Sequence, residues 1–123
     1  MTGIIEITLN NKTEQLNFGN YALEKYVKVT GVDIGNVKAV SDDYSQTDMV
    51  ADIVFAGLYG NARVNGAVFE YSIDDVRKWA NNLSMVDQLQ VIREFYSCVV
   101  KLTNQMQEAF KALSAEAEEE KKK

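Results

Sequence analysis

The side chains best suited to chemistry are four aspartates within eleven positions, Asp42, Asp43, Asp48 and Asp52. Neighbouring carboxylates can hold a metal ion or share acid and base roles. Asp48 and Asp52 are four apart, so on a helix they would lie on one face. The calcium-loop pattern D-x-D-x-D-G with its terminal glutamate is absent, and the cluster reads as a solvated acidic face. Cys98 is the single cysteine, and no histidine exists to activate it. It lies in a helical pattern between Ser97 and Val99 and reads as a small packing residue. Without histidine, Ser-His-Asp and Cys-His catalysis and His-ligated metals are excluded. Gly57, Gly60 and Gly66 precede no Gly-Lys-Ser/Thr and form no phosphate loop; Gly57, inside an apolar run, reads as a point of close packing. Trp79, Tyr21, Tyr26, Tyr59 and Tyr71 could stack on bases, but interleaved basic residues are lacking, so they read as core and rim packing. These residues give no catalytic, cofactor or metal site, and the expectation is a non-enzyme.

The elements that would position these residues follow from composition and periodicity. The chain has 123 residues, 46% hydrophobic and 25% charged, which suits one globular domain. Its net charge of −5 opposes nonspecific nucleic-acid binding. No apolar run approaches the roughly 18 residues of a membrane span, and no basic-then-apolar leader opens the chain. A cytoplasmic protein without membrane contact is expected, in keeping with a lone cysteine. Asn11-Lys12-Thr13 and Asn82-Leu83-Ser84 then match the glycosylation pattern by chance.

Ile4, Ile5, Ile7 and Leu9 make a strand pattern. Asn10-Asn11-Lys12 is a turn signal, and Thr13 to Phe18 return as a second strand with Leu16 and Phe18 facing in. Asn20 is placed to cap a first helix that buries Tyr21, Ala22, Tyr26 and Val29 and stops at Gly31. Val32 to Gln46 reads as a loop. Ser45 or Thr47 would cap a second helix, apolar nearly all round from Met49 to Tyr59 and therefore central, ending or kinking at Gly60-Asn61. Ser72 with Asp75, and Ser84 with Asp87, are capping devices for a third and a fourth helix. The third presents Ile73, Val76, Trp79, Ala80 and Leu83 on one face.

The fourth helix is the longest. Ile92, Val99, Met106 and Leu113 are seven apart, as are Leu89, Tyr96, Thr103 and Phe110, with Phe95, Leu102 and Ala109 between them. From Met85 to Leu113 it would span roughly 40 Å, against a radius of gyration of about 13 to 14 Å for such a domain. Leu89 to Val99 is read as cover for the rest of the domain. Leu102, Met106, Ala109, Phe110 and Leu113 are read as a stripe for another chain, another copy included. The expected fold is mainly α: one helical domain with an N-terminal β-hairpin and a long C-terminal helix over residues 1–113. Residues 114–123 read as a charged, frayed or disordered tail.

Several of these stretches carry a family resemblance. FGNYAL after a short hairpin, the helix ending at Val29-Thr30-Gly31, Ala56-Gly57-Leu58, Ser72-Ile73-Asp74-Asp75-Val76 and Trp79 occur in that order. The chain resembles the small tail assembly chaperones of long-tailed (siphovirus-type) phages and prophages, over about Ile4 to Phe110. The resemblance implies a helical protein without enzymatic activity or cofactors. It would coat the long apolar helix of the tape measure protein, keep it soluble, help recruit tail tube subunits, and leave before the virion matures. It also implies that a longer frameshifted product can exist, and the codons of Glu118 to Lys123 could hold the slippery A tract. The family's motifs assign no partner-binding residue. The alternative is a structural or adaptor protein, such as a minor virion component or a self-associating helical module.

Overall fold

A computed structural model describes residues 3–31 and 46–121, with side chains described over 3–31 and 48–115. The chain is mainly helical with an N-terminal antiparallel hairpin and a long C-terminal helix, as the sequence pattern predicts. The loop expected over Val32 to Gln46, with Val37, Ala39 and Val40 as its short apolar patch and with Asp42, Asp43 and Ser45, falls almost wholly outside the described residues.

Strands β1 (Ile4–Leu9) and β2 (Lys12–Asn17) pair in register, Ile5 opposite Leu16 and Leu9 opposite Lys12. Asn10 and Asn11 both take positive φ, 51° and 64°. Such a two-residue turn matches the right-handed twist of the strands, and asparagine tolerates that backbone best after glycine. Alternation then buries Ile5, Ile7, Leu9 and Leu16 on one face. The Phe18 N–H donates to the Gly3 carbonyl at 2.7 Å and closes the open end of the hairpin.

Helix α1 (Asn20–Thr30) buries Ala22, Leu23 and Tyr26. Asn20 is not its cap. Gly19 occupies that position in an extended conformation, and no side chain caps the helix. Asn20 already lies in the first turn, where its amide is one residue too late to accept from the next N–H groups. Tyr21 is exposed instead of buried, with the Arg63 guanidinium 4.9 Å from its ring centre. Gly31 ends the helix as expected, at φ 69°, its N–H donating to the Val27 carbonyl at 2.7 Å.

Helix α2 (Gln46–Asn65) is the central element, buried continuously from Val50 to Leu58. Of the two cap candidates, Ser45 falls outside the described residues and Thr47 lies within the helix. Gly60-Asn61 does not end it. Gly60 is buried where the Asn17 carbonyl and Ala22 press on the helix, so its missing side chain makes room for backbone. Gly57 does the same for Leu16 and Phe18. After Gly66 the chain returns past α2, and Phe69 stands edge-on to Phe55, Tyr59 and Tyr71 at 5.1, 5.4 and 5.9 Å between ring centres.

Helix α3 (Ile73–Ala80) begins at Ser72, whose Oγ accepts from the Asp75 N–H at 3.2 Å, as its spacing predicts. Helix α4 (Met85–Lys121) has the same device, with Ser84 Oγ accepting from the Asp87 N–H at 3.1 Å. It lies against α2 and β1 and continues to Lys121. The residues after Leu113 thus extend a helix, where the sequence suggests fraying. Alanine and glutamate dominate that stretch, and both have high helix propensity.

Candidate protein-interaction surface

The face of α4 that meets the body consists of Val91, Phe95 and Val99, all buried, with Ile92, Cys98 and Leu102 partly covered beside them. Phe95 anchors this contact. Its ring lies 4.7 Å from that of Tyr26 and 6.2 Å from that of Phe18, tying α4 to α1 and to the end of the hairpin. Thr103 marks the edge; its hydroxyl donates to the Val99 carbonyl at 2.9 Å.

Beyond Thr103 every side chain described is exposed. Met106 and Leu113 continue the heptad of Val99, and Ala109 continues that of Phe95 and Leu102. They therefore leave the body on the same helix face that the body covers further back. Met106, Phe110 and Leu113 are 51%, 63% and 61% exposed, and Ala109 is exposed with them. Of the five residues singled out in the sequence, the structure sets Leu102 at the body's edge and the other four in solvent. Lys101, Glu108 and Lys111 fall on the opposite side of the helix at 100° per residue, and the stripe is flanked by Thr103, Gln105 and Ala112. The free face is thus apolar and uncharged.

Where α4 leaves the body, an open groove of about 260 Å³ lies between it and the start of α1, lined by Phe18, Gly19, Asn20, Cys98, Lys101, Leu102 and Gln105. Cys98 is half-buried here. Burial pushes its thiol pKa up against a smaller opposing pull from Lys101, which disfavours the thiolate.

The sequence underestimates the free apolar surface at the other end of α4. Leu89, assigned to the covered half, is 56% exposed, and Met85, Val86 and Val100 are exposed too. The helix turns about 20° away from a strict heptad every two turns, so a straight helix rotates the Leu89–Tyr96 row off the body. A wheel drawn with 3.6 residues per turn would have shown this.

Of the acidic cluster, Asp42 and Asp43 fall outside the described residues. Among the described residues no three His, Cys, Asp or Glu side chains are grouped to hold a metal. Asp48 is exposed, whereas Asp52 is buried and paired with Arg77, with Nη2 and Nε at 3.2 and 3.4 Å from Oδ1. Trp79 is partly buried and packs edge-on against Tyr71 at 5.7 Å, and the Tyr71 hydroxyl donates to Glu14 at 2.6 Å. That bond, with burial behind it, raises the Tyr71 pKa to about 12. These aromatic groups serve packing, as expected. Among the described residues no helix is long and apolar enough to cross a membrane.

No family model, curated protein or solved structure matches the chain.

Proposed function

We propose that the chain is a tail assembly chaperone that binds the tape measure protein through α4, keeps it soluble and helps recruit tail tube subunits. The chemistry acts by coverage. A long apolar helix in water needs its stripe removed from solvent, and a second helix with a free apolar face supplies that. The observation that supports this reading is the uncharged stripe Met106, Ala109, Phe110 and Leu113, held clear of the body on a helix anchored by Phe95. Its uncharged flanks impose no charge register on a partner, which suits a coat laid repeatedly along one long helix. The net charge of −5 favours solubility of the coated complex. The reading of the partner comes from the family resemblance.

Co-expression with the tape measure protein of the same phage or prophage tests it. The wild-type chain is expected to hold that protein in the soluble fraction. A chain carrying Met106→Glu, Phe110→Glu and Leu113→Glu is expected to bind at least about 100-fold more weakly. Undiminished binding by that variant with an intact fold would remove the stripe from the account. No binding by wild type would remove the chaperone reading itself.

A further inference from the structure

We propose that the tip of the hairpin and the turn between α3 and α4 together form a binding site for one ring of a neutral saccharide.

The two segments meet around a cavity of about 180 Å³ lined by Thr8, Asn10, Asn11, Trp79 and Asn82. Each wall is held from beneath. Leu9 is buried under the hairpin tip and Leu83 under the other turn. The Asn82 N–H donates to the Trp79 carbonyl at 3.1 Å, and the Gln88 amide donates to the Leu83 carbonyl at 3.0 Å. Fixed backbone therefore presents the polar groups at the cavity.

Their chemistry selects the ligand. Three amides and a hydroxyl line the cavity, each able both to donate and to accept. Among the described residues, none engages these groups or the Trp79 indole N–H. A ring bearing several hydroxyls needs such two-way partners, since each of its hydroxyls is both donor and acceptor. Among the described residues, none that lines the cavity is charged, so it offers no counter-ion to a phosphate, a carboxylate or an amine. Trp79 supplies an aromatic surface for the C–H face of the ring, and its edge-on contact with Tyr71 covers at most one side of the indole. An aliphatic side chain from a partner would meet mostly polar walls. The volume lies below the roughly 300 Å³ at which drug-sized sites begin, which limits the ligand to a single ring.

Asn11 points the same way. It sits at φ 64°, in the second position of a tight turn where glycine is preferred. The turn does not require an amide there, and the cavity gains one. Along α4 the site lies roughly 30 Å from Met106, so it is separate from the free stripe.

Trp79 is the only tryptophan, so its emission reports occupancy. The full chain is titrated with glucose, galactose, mannose and N-acetylglucosamine, and with glucuronate as an anionic control. Saturation-transfer NMR reads contact between protein and sugar on the same samples. At least one neutral sugar should saturate with a Kd of roughly 1–10 mM, the range open to a small ring with few contacts. Asn11→Gly keeps the turn and removes one amide, and should raise that Kd about 5-fold at unchanged circular dichroism. Asn82→Ala should act alike. No saturable signal by either method from any neutral sugar up to about 100 mM would overturn the inference. So would a Kd left unchanged in the Asn11→Gly, Asn82→Ala double variant, or tighter binding of glucuronate than of glucose.

Discussion

Asp52 is fully buried, while its partner Arg77 keeps 44% of its side chain exposed. Asp52 Oδ2 is buried with no hydrogen-bond partner among the described residues. Burial raises the Asp52 pKa, Arg77 opposes that, and Asp48 adds a small upward push. A carboxyl whose folded pKa lies above its unfolded value holds its proton more tightly when folded. Its contribution to stability is present in full below the unfolded pKa and is lost as pH rises through the folded one. Arg77→Met should therefore cost about 3 kcal/mol at neutral pH and less in acid, because it strands a buried charge that acid neutralises. Asp52→Asn should cost less, since Arg77 can turn to water, and should flatten the pH slope. Urea unfolding at two pH values checks both; a cost of Arg77→Met that is the same at both would show that no buried charge on Asp52 is being stranded. None of this was legible in the sequence. Asp52 looks like one of four solvated acids until α2 and α3 pack and bring in a partner 25 residues away.

At the scale of elements, the hairpin, the Ser72 and Ser84 caps and the Gly31 stop were legible because each depends on residues adjacent in sequence. Asn20 was misread by one position, since Gly19 takes the cap, and Gly60 was misread as an end because the packing of Asn17 and Ala22 against it lies outside local sequence. A β-carbon on Gly57 would lie 2.9 Å from Leu16 Cβ and 3.0 Å from the Phe18 ring. One on Gly60 would meet the Asn17 carbonyl, which cannot rotate aside as a ring can. Alanine favours a helix over glycine by about 1 kcal/mol, so contact must outweigh that gain. Gly60→Ala is expected to destabilise by about 2–3 kcal/mol and Gly57→Ala by less, both read as a shift in unfolding midpoint. A stabilised Gly60→Ala protein would mean that the hairpin is not seated there.

The whole molecule divides its longest helix between a covered part and a free part, and substitutions should separate them. Phe95→Ala empties the junction of α4, α1 and the hairpin and should cost about 3–5 kcal/mol. Phe110→Ala, on the same helix, should change stability by no more than about 0.5 kcal/mol while weakening any partner bound there. Equal losses from both would mean that the stripe is part of the core. The heptad pattern groups Leu102, Met106, Ala109 and Leu113 because periodicity shows which residues share a face. It could not show where cover ends, since that depends on how far the body reaches along α4. The single tryptophan turns this division into something optically visible. Trp79 stands beside Tyr71 and next to the Asn10–Asn11 turn, in the body and away from the free stripe. Its emission follows the body alone, whereas circular dichroism weighs every helical turn, including those beyond Thr103. Recorded together on one sample, the two signals compare the melting of the body with that of the total helix, and the difference between them reports the turns beyond Thr103.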